Sequence, residues 1–306
     1  MTFMKGFFKK LIKYTALLSA GAALSLGVMA GCSSEPAKKY VLPDSMSVIL
    51  EPPQSGTPTD YSALDNVGFI AGKLASRDYY HVESKSDVTA TAVINVEQNV
   101  LGSKDYLNGI LITETISKGG SLAPSKAIQR YFGGSEVYVR APASDNKDEW
   151  NLGMEWSSAA PEVLNDAEYE KAYGLRANEF SDFVINEETV LDEGTVQEKD
   201  GMYTLTLSLD PDSAPAYYVN QMVTMGGLAE PPAFSKLILT IEFDSSWTVY
   251  SVRTEEEYTS KKKVPFLGNI EASCAGGSTI TYSYDKADVD ISAYEEYFRQ
   301  YEKTAA

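Results

Sequence analysis

The chain has 306 residues with 26 basic and 43 acidic side chains, a formal charge of −17, two cysteines and one histidine. This balance excludes the basic stripe with which a nucleic-acid binder displaces counterions and the usual His/Cys zinc site. It also leaves His81 as the one imidazole for a Ser-His-Asp or Cys-His device. With 43% hydrophobic and 11% aromatic residues the chain has enough apolar material for a sizeable core.

Lys5, Lys9, Lys10 and Lys13 precede an apolar run from Tyr14 to Met29, which closes on the small residues Ala30 and Gly31 before Cys32. Basic, then apolar, then small is the order of a secretory signal. The run is about 16 residues, short of the ~20 that span a bilayer. Met29-Ala30-Gly31-Cys32 resembles the bacterial lipobox. The resemblance implies cleavage before Cys32, acyl chains on its sulfur and amine, and a protein anchored in the cell membrane on its extracytoplasmic face. Two or three acyl chains anchor durably, since each buried CH₂ adds ~0.8 kcal/mol. Loss of residues 1–31 removes four lysines and no acid, which takes the formal charge to −21. Such a body is repelled by anionic headgroups and stands off on its tether. With Cys32 acylated, Cys274 has no disulfide partner and reads as a small buried hydrophobe.

The expected organisation is a signal peptide over 1–31, a lipidated Pro-rich tether over 32–60 and a single domain over 61–306. Within the tether, Ser47 to Leu50 reads as a short strand. Tyr61 to Ser76 carries Leu64, Val67, Ala71 and Leu74 at helical spacing, with Thr59 or Asp60 as cap. Thr89 to Val100 and Asn108 to Ser117 alternate with period two and read as a hairpin turned at Gly102 to Asp105. Ser125 to Phe132 reads as a short helix stopped by Gly133-Gly134, and Ser135 to Arg140 and Glu149 to Trp156 as strands. Asn165 to Tyr173 is helical, with Asn165 or Asp166 as cap and Gly174 as stop. Thr195 to Glu198 and Met202 to Leu209 form a hairpin around Asp200-Gly201. Pro215 to Met225 is a helix bearing Tyr217, Tyr218 and Met222. Strands then run from Leu237 to Phe243, Thr248 to Glu257, Asn269 to Ala275 and Ser278 to Tyr284, with the last two joined through Gly276-Gly277. Ser292 to Glu302 is helical.

Strands that follow one another as hairpins define an α+β fold, a large curved antiparallel sheet forming an open or half barrel, with helices covering its concave face. The helices at Tyr61 and Pro215 are the natural covers. An anchored chain with this meander resembles the LolA/LolB lipoprotein-localisation fold, shared by the LppX/LprG lipoproteins. The stretch from Gly201 to Tyr258, with its strand, inserted helix and strand pair around an acidic turn, carries the likeness. The resemblance implies an unclosed barrel whose interior accepts acyl chains. LolA itself carries no lipid anchor, whereas LolB and LppX do.

No phosphate loop and no G-x-S-x-G elbow occurs. Ser260 to Lys263 and Ser144-Asp145-Asn146 match two penicillin-binding motifs in the wrong order, with no Lys-Thr-Gly after them. His81 has no orienting partner in the sequence, and the acid groups Asp210/Asp212 and Asp285/Asp288/Asp290 lack the EF-hand spacing. No catalytic residue, metal ligand or cofactor is therefore assigned. The expectation is a non-catalytic binder or carrier of a lipid or other apolar ligand, lined by Leu205, Leu207, Leu239, Ile241 and Phe243. The alternative is an envelope module that contacts proteins or cell-wall polymer and has no ligand cavity.

Overall fold

A computed structural model of the chain describes residues 49–92, 95–119, 125–174, 183–226, 228, 230–264 and 268–302. Cys32, Ser47, Val48 and the remainder of the expected signal and tether lie outside the described residues, apart from 49–60. Helix α1 (Ala63–Ala75) leads into β1 (Tyr79–Thr91), β2 (Asn95–Leu107), β3 (Ile110–Gly119), β4 (Lys126–Gly133), β5 (Glu136–Arg140) and β6 (Glu162–Asn165). Helix α2 (Asp166–Tyr173) connects to β7 (Thr195–Lys199), β8 (Met202–Ser208) and helix α3 (Ala216–Gly226). The chain ends with β9 (Glu230–Asp244), β10 (Val249–Val264), β11 (Gly268–Ser283) and the short helix α4 (Ser292–Glu296).

The eleven strands form one antiparallel sheet in the order β6-β5-β4-β3-β2-β1-β11-β10-β9-β8-β7. Two meanders, β1 to β6 and β7 to β11, join along a single seam between β1 and β11. The sheet does not close, since β6 and β7 are its two edges. This is the expected α+β architecture.

Alternation sorts the side chains onto two faces. On β8 and β9, Tyr203, Leu205, Leu207, Leu237, Leu239, Ile241 and Phe243 are buried, and the residues between them are half-buried or polar. These apolar positions, with Val67, Ile70 and Leu74 of α1 and Tyr217, Tyr218 and Met222 of α3, belong to one core cluster on the concave side. The convex side is different. Tyr131, Tyr138 and Ile112 are covered there by Tyr297 and Phe298 of the C-terminal segment, while Trp150 and Trp156 cover Ile116 and Ala127.

Several local expectations are corrected. Gly102 to Asp105 lies inside β2, and the turn to β3 is Asn108-Gly109, whose φ values of 51° and 96° give the left-handed pair of a tight hairpin. The Thr89 to Val100 run is divided between β1 and β2. Ser125 to Phe132 is not a helix. It forms β4, because every second residue (Ile128, Phe132) packs into the concave core while Ala127 and Tyr131 pack outside, a division only a strand provides. Glu149 to Trp156 is a loop that pairs only through a Pro142–Trp156 bridge. Lys261 to Lys263, which lie past the expected end of the strand at Glu257, continue β10. Helix α1 is capped by Ser62, which accepts the Asp65 N–H, and not by Thr59 or Asp60. The last segment is helical only over Ser292–Glu296 and then tightens into one 3-10 turn.

Gly276 and Gly277 are not a turn but the middle of β11. A Cβ on Gly276 would sit 2.3 Å from Asp87 O, and one on Gly277 2.0 Å from Thr254 O. The two glycines let the seam strand lie between β1 and β10 at that point.

Candidate functional site

The expected ligand-lining residues fall together. Leu205 pairs with Ile241, Leu207 with Leu239, and Tyr203 with Phe243 across β8 and β9. All five expected positions are 0% exposed. The cover over them is made of two helices, α1 of 13 residues and α3 of 11, rather than a second sheet.

The rest of the concave face mixes apolar residues such as Val82, Leu111 and Ile280 with polar ones. From β10 through β3 its inward positions include Thr254, Glu256, Ser278, Ser84, Ser86, Gln98, Thr113, Thr115 and Ser117, all of them buried. Tyr218 on α3 donates to Glu256 Oε1 over 3.1 Å. On β4, Arg130 donates to the Tyr169 hydroxyl of α2 at 2.7 Å and to Thr115 Oγ1 at 2.9 Å. Lys126 of the same strand lies 4.9 Å from the ring centroid of Tyr173. Tyr169 and Tyr173 stack on each other with centroids 4.7 Å apart. Burial pushes the Tyr173 hydroxyl up to about 12, and burial, with Arg130 as a second cause, lowers the Lys126 ammonium below its ordinary value. Among the buried polar atoms here, Ser86 Oγ, Thr113 Oγ1, Arg130 Nε and Gln221 Oε1 have no hydrogen-bond partner within the protein. Leaving such an atom unpaired costs about 1–3 kcal/mol. Sequence patterning missed these polar positions because Ser, Thr and Gln at alternate positions read as a solvent face.

His81 does have a partner. Its Nδ1 lies 2.8 Å from Asp105 Oδ1, which also accepts the Asp290 N–H at 3.0 Å. His81 pairs in register with Asp105 on one side and Ser283 on the other, so the three residues form a row on the convex face. The Ser283 hydroxyl donates to Asp288, which keeps it engaged within the C-terminal segment. The signal for Asp105 was the β1–β2 register, which a misplaced turn concealed.

The other motifs are structural. Asn146 caps a 3-10 turn, and Ser144 O accepts the Trp150 indole N–H. Ser260 Oγ lies 3.5 Å from the buried Cys274 sulfur, and burial raises that thiol. Asp210 accepts the backbone N–H groups two and three residues on, and Asp285 accepts that of Ala287, two residues on. Among the described residues no cluster of three His, Cys, Asp or Glu side chains could hold a metal ion, and no helix is long and apolar enough to cross a membrane, which says nothing of strands.

An open cleft of about 700 Å³ lies outside the core, between the start of α1 (Tyr61 to Leu64) and the segment from Glu187 to Val196. Glu187, Asp192 and Glu193 line it together with Val190 and Leu191.

No family model matches the chain, and no curated protein matches it. Among solved structures it is similar to Neisserial surface protein A, at 8% identity and a TM-score of 0.18, over 67% of this chain and 97% of that one. It is also similar to a LolA superfamily protein from Nitrosomonas europaea, at 10% identity and a TM-score of 0.17, over 68% and 85% of the two chains. Overlaps of this size carry no argument about activity.

Proposed function

We propose that this chain is a lipid-anchored extracytoplasmic protein that binds a lipid or other apolar ligand within its curved sheet, without catalysis. The anchor rests on the export signal and Cys32. The binding role rests chiefly on one observation: the apolar face of β8 and β9 is covered by short helices inside an unclosed sheet. An acyl chain reaches Leu205, Leu207, Leu239, Ile241 and Phe243 when α3 shifts from β9. That movement breaks the Tyr218–Glu256 hydrogen bond and exposes Met222 and Tyr217, and the incoming chain replaces their apolar contacts at about 25 cal/mol per Å². Native mass spectrometry of protein purified in mild detergent tests this reading. Co-purifying lipid is the expected result, and its repeated absence together with no uptake of added lipid would sink it. Cys32→Ser tests the anchor separately, since the variant is expected to leave the membrane fraction.

A second reading draws on the external cleft, whose rim of Glu187, Asp192 and Glu193 faces outward beside Leu191, 60% exposed. It makes the protein an envelope module that contacts other proteins or cell-wall polymer. Cross-linking in cells separates the two, because a stable partner with no bound lipid favours this second role.

A further inference from the structure

On the convex face four cations are answered by acids, while Arg140 is held by neutral oxygens and the Tyr297 ring. Lys85 pairs with Asp87 at 3.0 Å, Lys236 with Glu255 at 2.9 Å, Arg253 with Glu242 at 2.8 Å and Lys261 with Glu230 at 3.1 Å. Surface pairs of this kind contribute little to stability, but they are what a chain with 43 acids and 26 bases offers almost anywhere. Arg130 and Lys126, on the concave side of β4, also lack such an acid, and they lie inside the curved sheet. Among the described residues no carboxylate oxygen lies within 4.0 Å of either cation. Their hydrogen-bond and ring partners are neutral, namely Tyr169, Thr115 and Tyr173, and Glu162 of β6 acts on Lys126 only from beyond ion-pair distance.

The strand register sharpens this. Thr113 on β3 stands directly opposite Arg130 on β4, so both side chains leave the same face of the sheet. Thr113 is 2% exposed and its hydroxyl has no partner. Arg130 Nε is likewise buried and unpartnered. The Arg130 Nε–H is an unpaired donor, and the Thr113 hydroxyl opposite it in register can donate as well, so one acceptor reached by both would answer the two groups. An anionic oxygen supplies that acceptor and also the counter-charge, and charge-assisted hydrogen bonds of this type are about twice as strong as neutral ones. A neutral acceptor such as water would satisfy the donors but not the charge.

We propose that the inner face of β3 and β4 seats the anionic headgroup, a carboxylate or phosphate, of an amphiphile whose apolar part lies in the same interior against β8 and β9. Arg130 and Thr113 hold the headgroup and Lys126 flanks it from the rim. The inference rests on the ligand-binding reading above and adds the charge and position of the headgroup. The placement is consistent with one continuous interior, since Ile128 and Phe132 of β4 belong to the same core cluster as Leu205, Leu239 and Ile241. In this structure Tyr169 occupies one arm of Arg130. Tyr169 is buried at 1% exposure against Phe132 and Tyr173, so seating a headgroup on that arm requires the eight-residue helix α2 to give up this packing.

The test uses the lipidated full chain in nonionic detergent, titrated separately with hexadecanoate, hexadecanol and inorganic phosphate and read by native mass spectrometry. Hexadecanoate is expected to bind about tenfold more tightly than hexadecanol, one charge-assisted contact in free energy. Arg130→Gln is expected to bring the carboxylate down to the alcohol's affinity and leave the alcohol unchanged. Lys126→Gln, at the exposed rim, is expected to reduce carboxylate binding severalfold and keeps the test decisive should Arg130→Gln not fold. Equal binding of carboxylate and alcohol, unaffected by either variant, overturns the anion seat while the apolar-ligand reading stands. Binding of neither amphiphile overturns both. Arg130-dependent binding of phosphate alone overturns the amphiphile assignment in favour of a free small anion.

Discussion

His81 and Asp105 are joined by a 2.8 Å contact across the β1–β2 pair, and the same Asp105 oxygen accepts the Asp290 N–H. One carboxylate therefore ties a central strand to the C-terminal segment that covers the convex face. Glu83 adds a weaker approach to His81 Nε2 at 3.7 Å.

The Asp105 hydrogen bond, opposed in part by burial, raises the His81 pKa above its ordinary 6.5. A raised histidine contributes stability that is fully present below the unfolded value near 6.5 and is lost as pH rises through the folded value. Urea denaturation at roughly pH 5.5 and pH 9 is expected to show this contribution shrinking in wild type. His81→Gln should flatten the difference and cost about 1 kcal/mol at the lower pH. Identical pH profiles for the two proteins would contradict the assignment.

Leu239 is 0% exposed and pairs with Leu207, also 0% exposed, beneath the helical cover. Leu239→Ala is expected to cost about 2–5 kcal/mol in chemical denaturation, the sum of lost transfer energy and a cavity. A loss under about 1 kcal/mol would mean that this face is not packed as described.

Asn66, 0% exposed, accepts the Trp247 indole N–H at 2.7 Å and donates to Pro58 O at 2.9 Å and Ser62 O at 2.8 Å. It fastens the stretch before α1 to the β9–β10 turn. Asn66→Ala leaves a buried indole N–H and two carbonyls without this partner, at an expected cost of about 2–4 kcal/mol. Limited proteolysis should then cut first around residues 55–61, and an unchanged cleavage pattern would count against the fastening role.

Gly277 lies where an added Cβ would fall 2.0 Å from Thr254 O. Gly277→Ala is expected to force β10 and β11 apart and destabilise by more than about 3 kcal/mol. Gly134→Ala, at φ +74° but in open space, should cost only about 1 kcal/mol. A comparison of melting temperatures for the two variants distinguishes steric closeness from backbone strain.

The meander and its covers were legible from the sequence because they rest on short-range signals. Asp200-Gly201 marks its hairpin outright, and Gly174 stops α2, whose cap the structure assigns to Asn165 rather than Asp166. Leu205, Leu207, Leu239 and Ile241 keep a strict alternation, and the structure places them on one buried face. Local rules failed where a distant strand decides the conformation. The Gly276-Gly277 pair resembles a turn until β1 and β10 are packed against it. The β4 stretch has apolar residues on both faces, because helices cover one side and the C-terminal aromatics the other, so its period of two is hidden. The polar interior was invisible for a related reason. Thr113 and Ser86 look like solvent-facing positions in an alternating strand, and only the curvature of the sheet turns that face inward.

The seam between β1 and β11 also governs how the molecule assembles. Thr281 Oγ1 donates to Glu83 O across 198 positions of chain. Each meander can zip up from neighbouring hairpins, but the central strand β1 is left with an open side until the eleventh strand has emerged. Long-range pairings of this kind impose a slow, entropy-limited closing step. For a chain threaded outward from its first residue, the half made first must wait, bare-edged, for the half made last.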